Sequence, residues 1–277
     1  MMNLIERNYY HTLIEPLKGV TINNLFARSI IEQKVEGKVF VDSFDNPRTY
    51  YIVHPYGMSL LFGDCNSFEF NLKFKEYALN TYSERIKHEW MQAFPSNWDL
   101  VLSDLFGNFL INSSDNTKKQ EQGIIELNTR VNFKFNELKY AEFKLHNSDS
   151  DFQILRSEKQ IFQDMKGSVV PSSFWDNEDD FYENGVGFSL YYENRLASTA
   201  YSAFIHDNKL EIGIETFEAF RGKGFAQNVC SALIDYCIQN GYEPIWSCRK
   251  ENINSYKLAQ KLGFEPIKEI PFYRLSN

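Results

Sequence analysis

Leu210-Glu211-Ile212-Gly213-Ile214-Glu215-Thr216 runs through Phe217-Glu218-Ala219-Phe220 into Arg221-Gly222-Lys223-Gly224-Phe225-Ala226. The first stretch alternates apolar and polar residues, which is the period of a strand. Residues 227–240 carry apolar side chains at helical spacing. A strand that feeds a short glycine-bearing loop and then a helix makes an anion site. The first helical N–H groups have no intrahelical acceptor, and the aligned peptide dipoles place partial positive charge there. Gly222 and Gly224 put no Cβ in the way of a phosphate, and Arg221 and Lys223 add two cations.

Upstream of this stretch the pattern is that of hairpins. Strand-like runs at 186–192, 195–205 and 209–216 are joined by Glu193-Asn194 and His206-Asp207-Asn208. Residues 152–156 read as a strand and 158–166 as a helix. Downstream, 244–248 reads as a strand and 254–262 as a helix stopped by Gly263. Residues 264–267 and 271–275 read as closing strands. In the first half, 3–15 and 23–33 look helical. Residues 38–41, 49–53 and 58–62 look like strands, and 74–94 looks mainly helical up to Pro95. Two polar runs, 112–122 and 146–151, suit loops or linkers. A hairpin-like segment lies between them. The domain boundary is placed at the second run, giving domains 1–148 and 149–277.

The whole-chain composition narrows the function. With 277 residues and 43% hydrophobic content, a sizeable core is available. The net charge of -8 argues against nucleic acid or an anionic membrane as the main partner. No run of about 18 apolar residues or secretory leader is seen, so a cytoplasmic protein without a membrane span is expected. Cys65, Cys230, Cys237 and Cys248 form no C-x-x-C pair, and no metal spacing is present. Cys230 and Cys237 share a helix face and read as reduced core thiols.

Arg221, Gly224 and Ala226 fill the fixed positions of a Gln/Arg-x-x-Gly-x-Gly/Ala loop. Asn252, Ser255, Leu258, Gly263 and Phe264 match a second signature in the right order. On these residues the chain from about 149 onward resembles the GNAT superfamily of acyl-CoA-dependent N-acetyltransferases. The two-part layout also resembles a bacterial subgroup that includes self-resistance acetyltransferases of the zwittermicin A type. The resemblance implies an α/β (α+β) fold: a mixed, mostly antiparallel twisted sheet with flanking helices, preceded by a smaller α+β N-terminal domain that would cap the acceptor side. It implies acetyl-CoA in a cleft where strands 211–216 and 244–248 splay apart. Thr216, Phe217 and Glu218 would meet the pantetheine arm. Arg221, Gly222, Lys223, Gly224, Phe225 and Ala226 would hold the pyrophosphate, and Asn252 and Ser255 would lie along the arm. The acetyl group would pass directly to a primary amine of a small molecule. A non-catalytic CoA-binding module and a protein or peptide N-acetyltransferase are the alternatives, and a homodimer is compatible with the sequence.

The general acid and base stay open at this point. Many family members carry Tyr where this chain has Ala259; Tyr256, one helical turn earlier, is the substitute candidate. Glu215 and Glu211 lie on one face of the strand. They form a solvated stripe, bind a cationic substrate, or relay a proton, with Glu215 the first candidate for a base. Asn252 is either a cofactor contact or a helix cap. The acidic run Asp176-Asn177-Glu178-Asp179-Asp180 is either a solvated loop or an attraction for an amine.

Overall fold

Three antiparallel strands, a helix and a parallel strand occur twice along the chain. The computed structural model describes residues 1–114, 123–145 and 152–277. Residues 115–122 and 146–151 of the two polar runs, and with them the expected boundary at 148/149, lie outside the described residues. The chain divides into two units. One comprises Met1–Val131, Arg249–Glu251 and Glu269–Asn277; the other comprises Asn132–Cys248 and Asn252–Lys268.

In the first unit, β1 (Asn3–Leu4), α1 (Ile14–Lys18) and α2 (Leu25–Ile31) come first. They are followed by the meander β2 (Lys38–Val41), β3 (Thr49–Val53) and β4 (Met58–Gly63). Then come α3 (Phe68–Ala78), β5 (Glu89–Phe94), α4 (Asn97–Phe106), β6 (Leu110–Asn112) and the start of β7 (Ile125–Phe135). β5 lies parallel to β4 through five positions, from Met58↔Trp90 to Phe62↔Phe94. Tyr51, Leu61, Phe70, Phe74, Trp98, Leu102 and Tyr273 build its core. The expected helix over 74–94 is therefore half wrong. The helix ends at Ala78, and 89–94 is a strand whose form is set by its pairing with β4. The segment 3–15 is likewise not one helix but β1, a 3-10 turn (Arg7–Leu13) and the start of α1.

In the second unit, β7 ends and α5 (Glu137–Leu145) follows, so a strand and a helix stand where a hairpin was expected. Next come β8 (Phe152–Arg156), α6 (Ile161–Asp164), α7 (Glu178–Asn184), β9 (Gly187–Tyr192), β10 (Arg195–His206) and β11 (Lys209–Thr216). The unit continues with α8 (Phe225–Gln239), β12 (Glu243–Ile245), the start of β13 (Ser247–Arg249), α9 (Ile253–Lys261) and the start of β14 (Phe264–Leu275), a single strand through Pro271 whose end belongs to the first unit. One sheet has the order β12-β11-β10-β9-β8. Glu193 and Asn194 both adopt positive φ, as a two-residue hairpin turn requires. α8 packs on β9, β10 and β11, burying Val229, Cys230, Leu233, Ile234 and Cys237. All four cysteines are free, and burial pushes the Cys237 thiol up to about 12. No helix among the described residues is long and apolar enough to cross a membrane.

Two packing details carry consequences. Tyr201 on β10 lies across Gly213 on β11, and a Cβ at Gly213 would come within 2.6 Å of the ring. In the first unit Glu89 is buried and accepts from the hydroxyls of Tyr51 and Tyr77, the latter at 2.5 Å. Burial raises the Glu89 carboxyl above its ordinary value of 4.5, against the pull of the two phenols and Arg85. The folded state thus holds this proton more tightly than the unfolded chain. Stability from the neutral acid is full below 4.5 and is lost as pH rises through the folded value.

Glu89→Gln is expected to flatten the fall in unfolding free energy as pH rises above 4.5; urea titrations across pH check it. Gly213→Ala is expected to destabilise by about 1–3 kcal/mol through overpacking. In a Tyr201→Ala background it should cost far less, which a double-mutant cycle by urea unfolding measures.

Candidate functional site

β11 pairs with β12 only through Lys209↔Glu243, Leu210↔Pro244 and Glu211↔Ile245. β11 then continues to Thr216 along β10, while the other strand changes partners. Trp246 is the pivot: its carbonyl accepts from Phe133 of β7, and its buried ring packs on Phe264. A gap opens between the two strands beyond Glu211.

The ladder with β10 says which groups line that gap. Phe217 donates its N–H to Ala197, so the register places the N–H groups of residues 213, 215 and 217 toward β10. The N–H groups of Ile214 and Thr216 point the other way, into the gap. The Thr216 carbonyl points there as well and accepts from Arg221 Nε at 3.1 Å. The Thr216 hydroxyl meets Ser198 Oγ at 2.7 Å.

Beyond the strand, a 3-10 turn (Glu218–Phe220) leads into the loop. The Glu218 carbonyl accepts from the Arg221 N–H at 3.2 Å. Arg221, Gly222, Lys223 and Gly224 are exposed, and Phe225 is buried beneath them. Gly222 (φ +78°) and Gly224 (φ +82°) are left-handed, and a Cβ on Gly222 would meet nothing within 4 Å. Among the described residues the N–H groups of Gly222, Lys223 and Gly224 donate to no protein acceptor. The helix α8 begins at Phe225, with Gly224 as an N-cap that supplies no side-chain hydrogen bond. Ala226 is half-buried in its first turn. Lys223 Nζ lies 4.9 Å from the Tyr192 ring centroid and 5.8 Å from that of Phe220. These rings and Phe225 form an aromatic bed under the loop.

The candidate catalytic residues are placed differently from one another. Glu211 is buried, sits at the last paired position before the gap, and accepts from Ser247 Oγ at 3.2 Å. The Glu215 side chain is 11% exposed, so the two carboxylates are not a solvated stripe. Its Oε2 accepts the N–H groups of Ser168 and Val169 at 3.1 and 3.2 Å, and its Oε1 faces Arg221 Nη2 at 3.4 Å. Tyr256 packs edge-on against Phe133 with centroids 5.3 Å apart. Asn252 caps α9 through Ser255 N–H at 3.3 Å, and Ser255 Oγ accepts from Trp246 Nε1 at 3.2 Å. Ala259 is fully buried. Gly263 is left-handed, and a Cβ there would come within 2.7 Å of the Tyr140 backbone N, so the Gly-Phe signature reports a close approach of α9's end to α5.

The acidic run forms the start of α7 rather than a loop. Asn177 caps the helix by accepting from Asp180 N–H at 2.9 Å, and Asp179 pairs with Lys159. Its carboxylates thus meet the positive end of a helix. Among the described residues no group of three or more His, Cys, Asp or Glu could hold a metal ion. Gly167, Ser168 and Val169, which meet Glu215, and the inward amide of Ile214 carry no sequence signal. Their roles come from long-range register.

The first unit repeats the strand–helix–strand order without these features. Its β4–β5 pairing runs on where the other pair parts. The loop before α3 carries Asp64, whose carboxylate accepts from Asn66 and is held below its usual range by that bond.

The GNAT acetyltransferase family matches residues 15–273 of this chain. An uncharacterized N-acetyltransferase, YdfB, of Bacillus subtilis strain 168 is 27% identical over 251 residues, covering 90% of this chain and 89% of that protein. Among solved structures, a GCN5-related N-acetyltransferase-like protein from Streptococcus suis shares the fold with a TM-score of 0.69 at 17% identity, covering 97% of this chain and 99% of that one. A tandem GNAT protein from the clavulanic acid biosynthesis pathway gives a TM-score of 0.61 at 8% identity, covering 100% of this chain and 98% of that one. Enzymes of this family use acetyl-CoA. The chain belongs to the GNAT acetyltransferase family and is an acyltransferase.

Proposed function

We propose that the second unit transfers an acetyl group from acetyl-CoA to a primary amine of a small molecule. The observation that carries this reading is the parting of β11 from β12 after Glu211↔Ile245, next to a loop whose amides meet no protein acceptor. The amides of Gly222 to Ala226 suit a pyrophosphate, with Arg221 and Lys223 beside it. Ile214 and Thr216 offer N–H groups to an extended arm, as a paired strand would accept them. Asn252 and Ser255 lie at the start of α9, on the chain that leaves the pivot.

Acetyl-CoA supplies an activated thioester. What the chain supplies is orientation and charge. The Thr216 N–H is the donor it offers to a carbonyl oxygen gaining negative charge. An alkyl amine with a pKa of roughly 10 must lose a proton before it attacks. Glu211, held by Ser247 at the closed end of the gap, is the carboxylate best placed to drain that proton through water. Tyr256 is the hydroxyl nearest in sequence to the family's usual acid, and its ring is seated edge-on against Phe133. With the acidic run committed to α7, the small-amine reading rests on the family chemistry and on the carboxylates lining β11.

Isothermal titration is expected to show acetyl-CoA binding to the wild type. Gly224→Asp should weaken it by about 100-fold or more, because a carboxylate at the helix start repels the diphosphate. Gly224→Ala adds only left-handed strain and should cost less. Thiol release with a panel of small amines and a peptide N-terminus then identifies the acceptor. Wild-type affinity in Gly224→Asp would place the cofactor elsewhere.

A further inference from the structure

We propose that Glu215 is a positioning residue whose carboxylate fastens the turn at 167–169 to Arg221 of the phosphate loop. The two oxygens divide the work: Oε2 takes the backbone amides of Ser168 and Val169, and Oε1 faces Arg221. Arg221 in turn reaches back to the Thr216 carbonyl, so one side chain joins the turn, the strand end and the loop. The turn is shaped around the carboxylate. Gly167 has φ +146°, and a Cβ there would come within 2.6 Å of Oε2 and 2.8 Å of Glu215 Cγ. Only glycine leaves room for the acid.

This arrangement suits a clamp. Each carboxylate oxygen already faces donors of the protein, and charge-assisted contacts are about twice as strong as neutral ones. Arg221 spends Nε and Nη2 on Thr216 and Glu215, while Nη1 has no partner among the described residues and its side chain is 63% exposed. Glu215 therefore fixes the direction in which the remaining edge of the guanidinium points. The inference rests on the CoA reading above for what that edge meets. The attachment of the turn does not depend on it.

The test compares Glu215→Ala, Glu215→Gln and Gly167→Ala. Glu215→Ala is expected to weaken CoA by about tenfold, the scale of one charged hydrogen bond. It should leave acetyl-pantetheine, which lacks the pyrophosphate, unchanged in NMR titrations. Trypsin should cut after Lys166 several-fold faster in Glu215→Ala and in Gly167→Ala, at a temperature where circular dichroism shows both variants still folded. Glu215→Gln keeps an acceptor for the turn, so Lys166 should stay protected while CoA remains weakened. Equal losses of CoA and acetyl-pantetheine, or wild-type CoA affinity in Glu215→Ala, would overturn the proposal. So would both Glu215 variants losing acetyl transfer with CoA affinity intact, which would make Glu215 the base. A wild type that fails to bind CoA contradicts the proposed function instead, and the trypsin comparison still decides the clamp.

Discussion

Every feature of the site follows from β11 losing its partner after Glu211↔Ile245. Backbone N–H groups in a sheet need acceptors, and those of Ile214 and Thr216 are aimed where β12 has turned away. The first unit shows what happens without that parting. The same order of strand, helix and parallel strand stays zipped from Met58↔Trp90 to Phe62↔Phe94, and no gap forms. One topology thus gives a closed sheet in one unit and an open seam in the other.

What parts the strands is the residue that follows the last paired position, Trp246. Trp246 then hands its carbonyl to Phe133 and its indole N–H to Ser255, while its ring is buried on Phe264. The pivot is held on three sides, so the seam is a packed feature rather than a frayed edge. Glu211 and Ser247 close it at one end, and the glycine loop stands at the other.

The parts of the site that were legible in the sequence are those written locally. Alternation over 209–216, the glycines before α8 and the Asn252 and Gly263 punctuation of α9 need only near neighbours to specify them. The rest depends on partners far along the chain. Residues 89–94 have no clean period, so the pattern alone carries the preceding helix across them, whereas pairing with strands on both sides makes them a strand. The pattern alone divides β14 in two at Pro271, although its last residues pair with β5. The sequence leaves Glu215 open between a solvated stripe, a cation binder and a proton relay, because the turn 47 residues away that takes up one of its oxygens has no local signal. The acidic run reads as a loop from its composition because its place at a helix start depends on Asn177, one residue among several that could cap.

The most direct test is amide-resolved hydrogen exchange with and without CoA. The account predicts slowed exchange at Ile214, Thr216 and the amides of Gly222 to Ala226, with residues of β4 and β5 unchanged. Unaltered exchange along β11 and the loop, with protection at β4 and β5 instead, would contradict it.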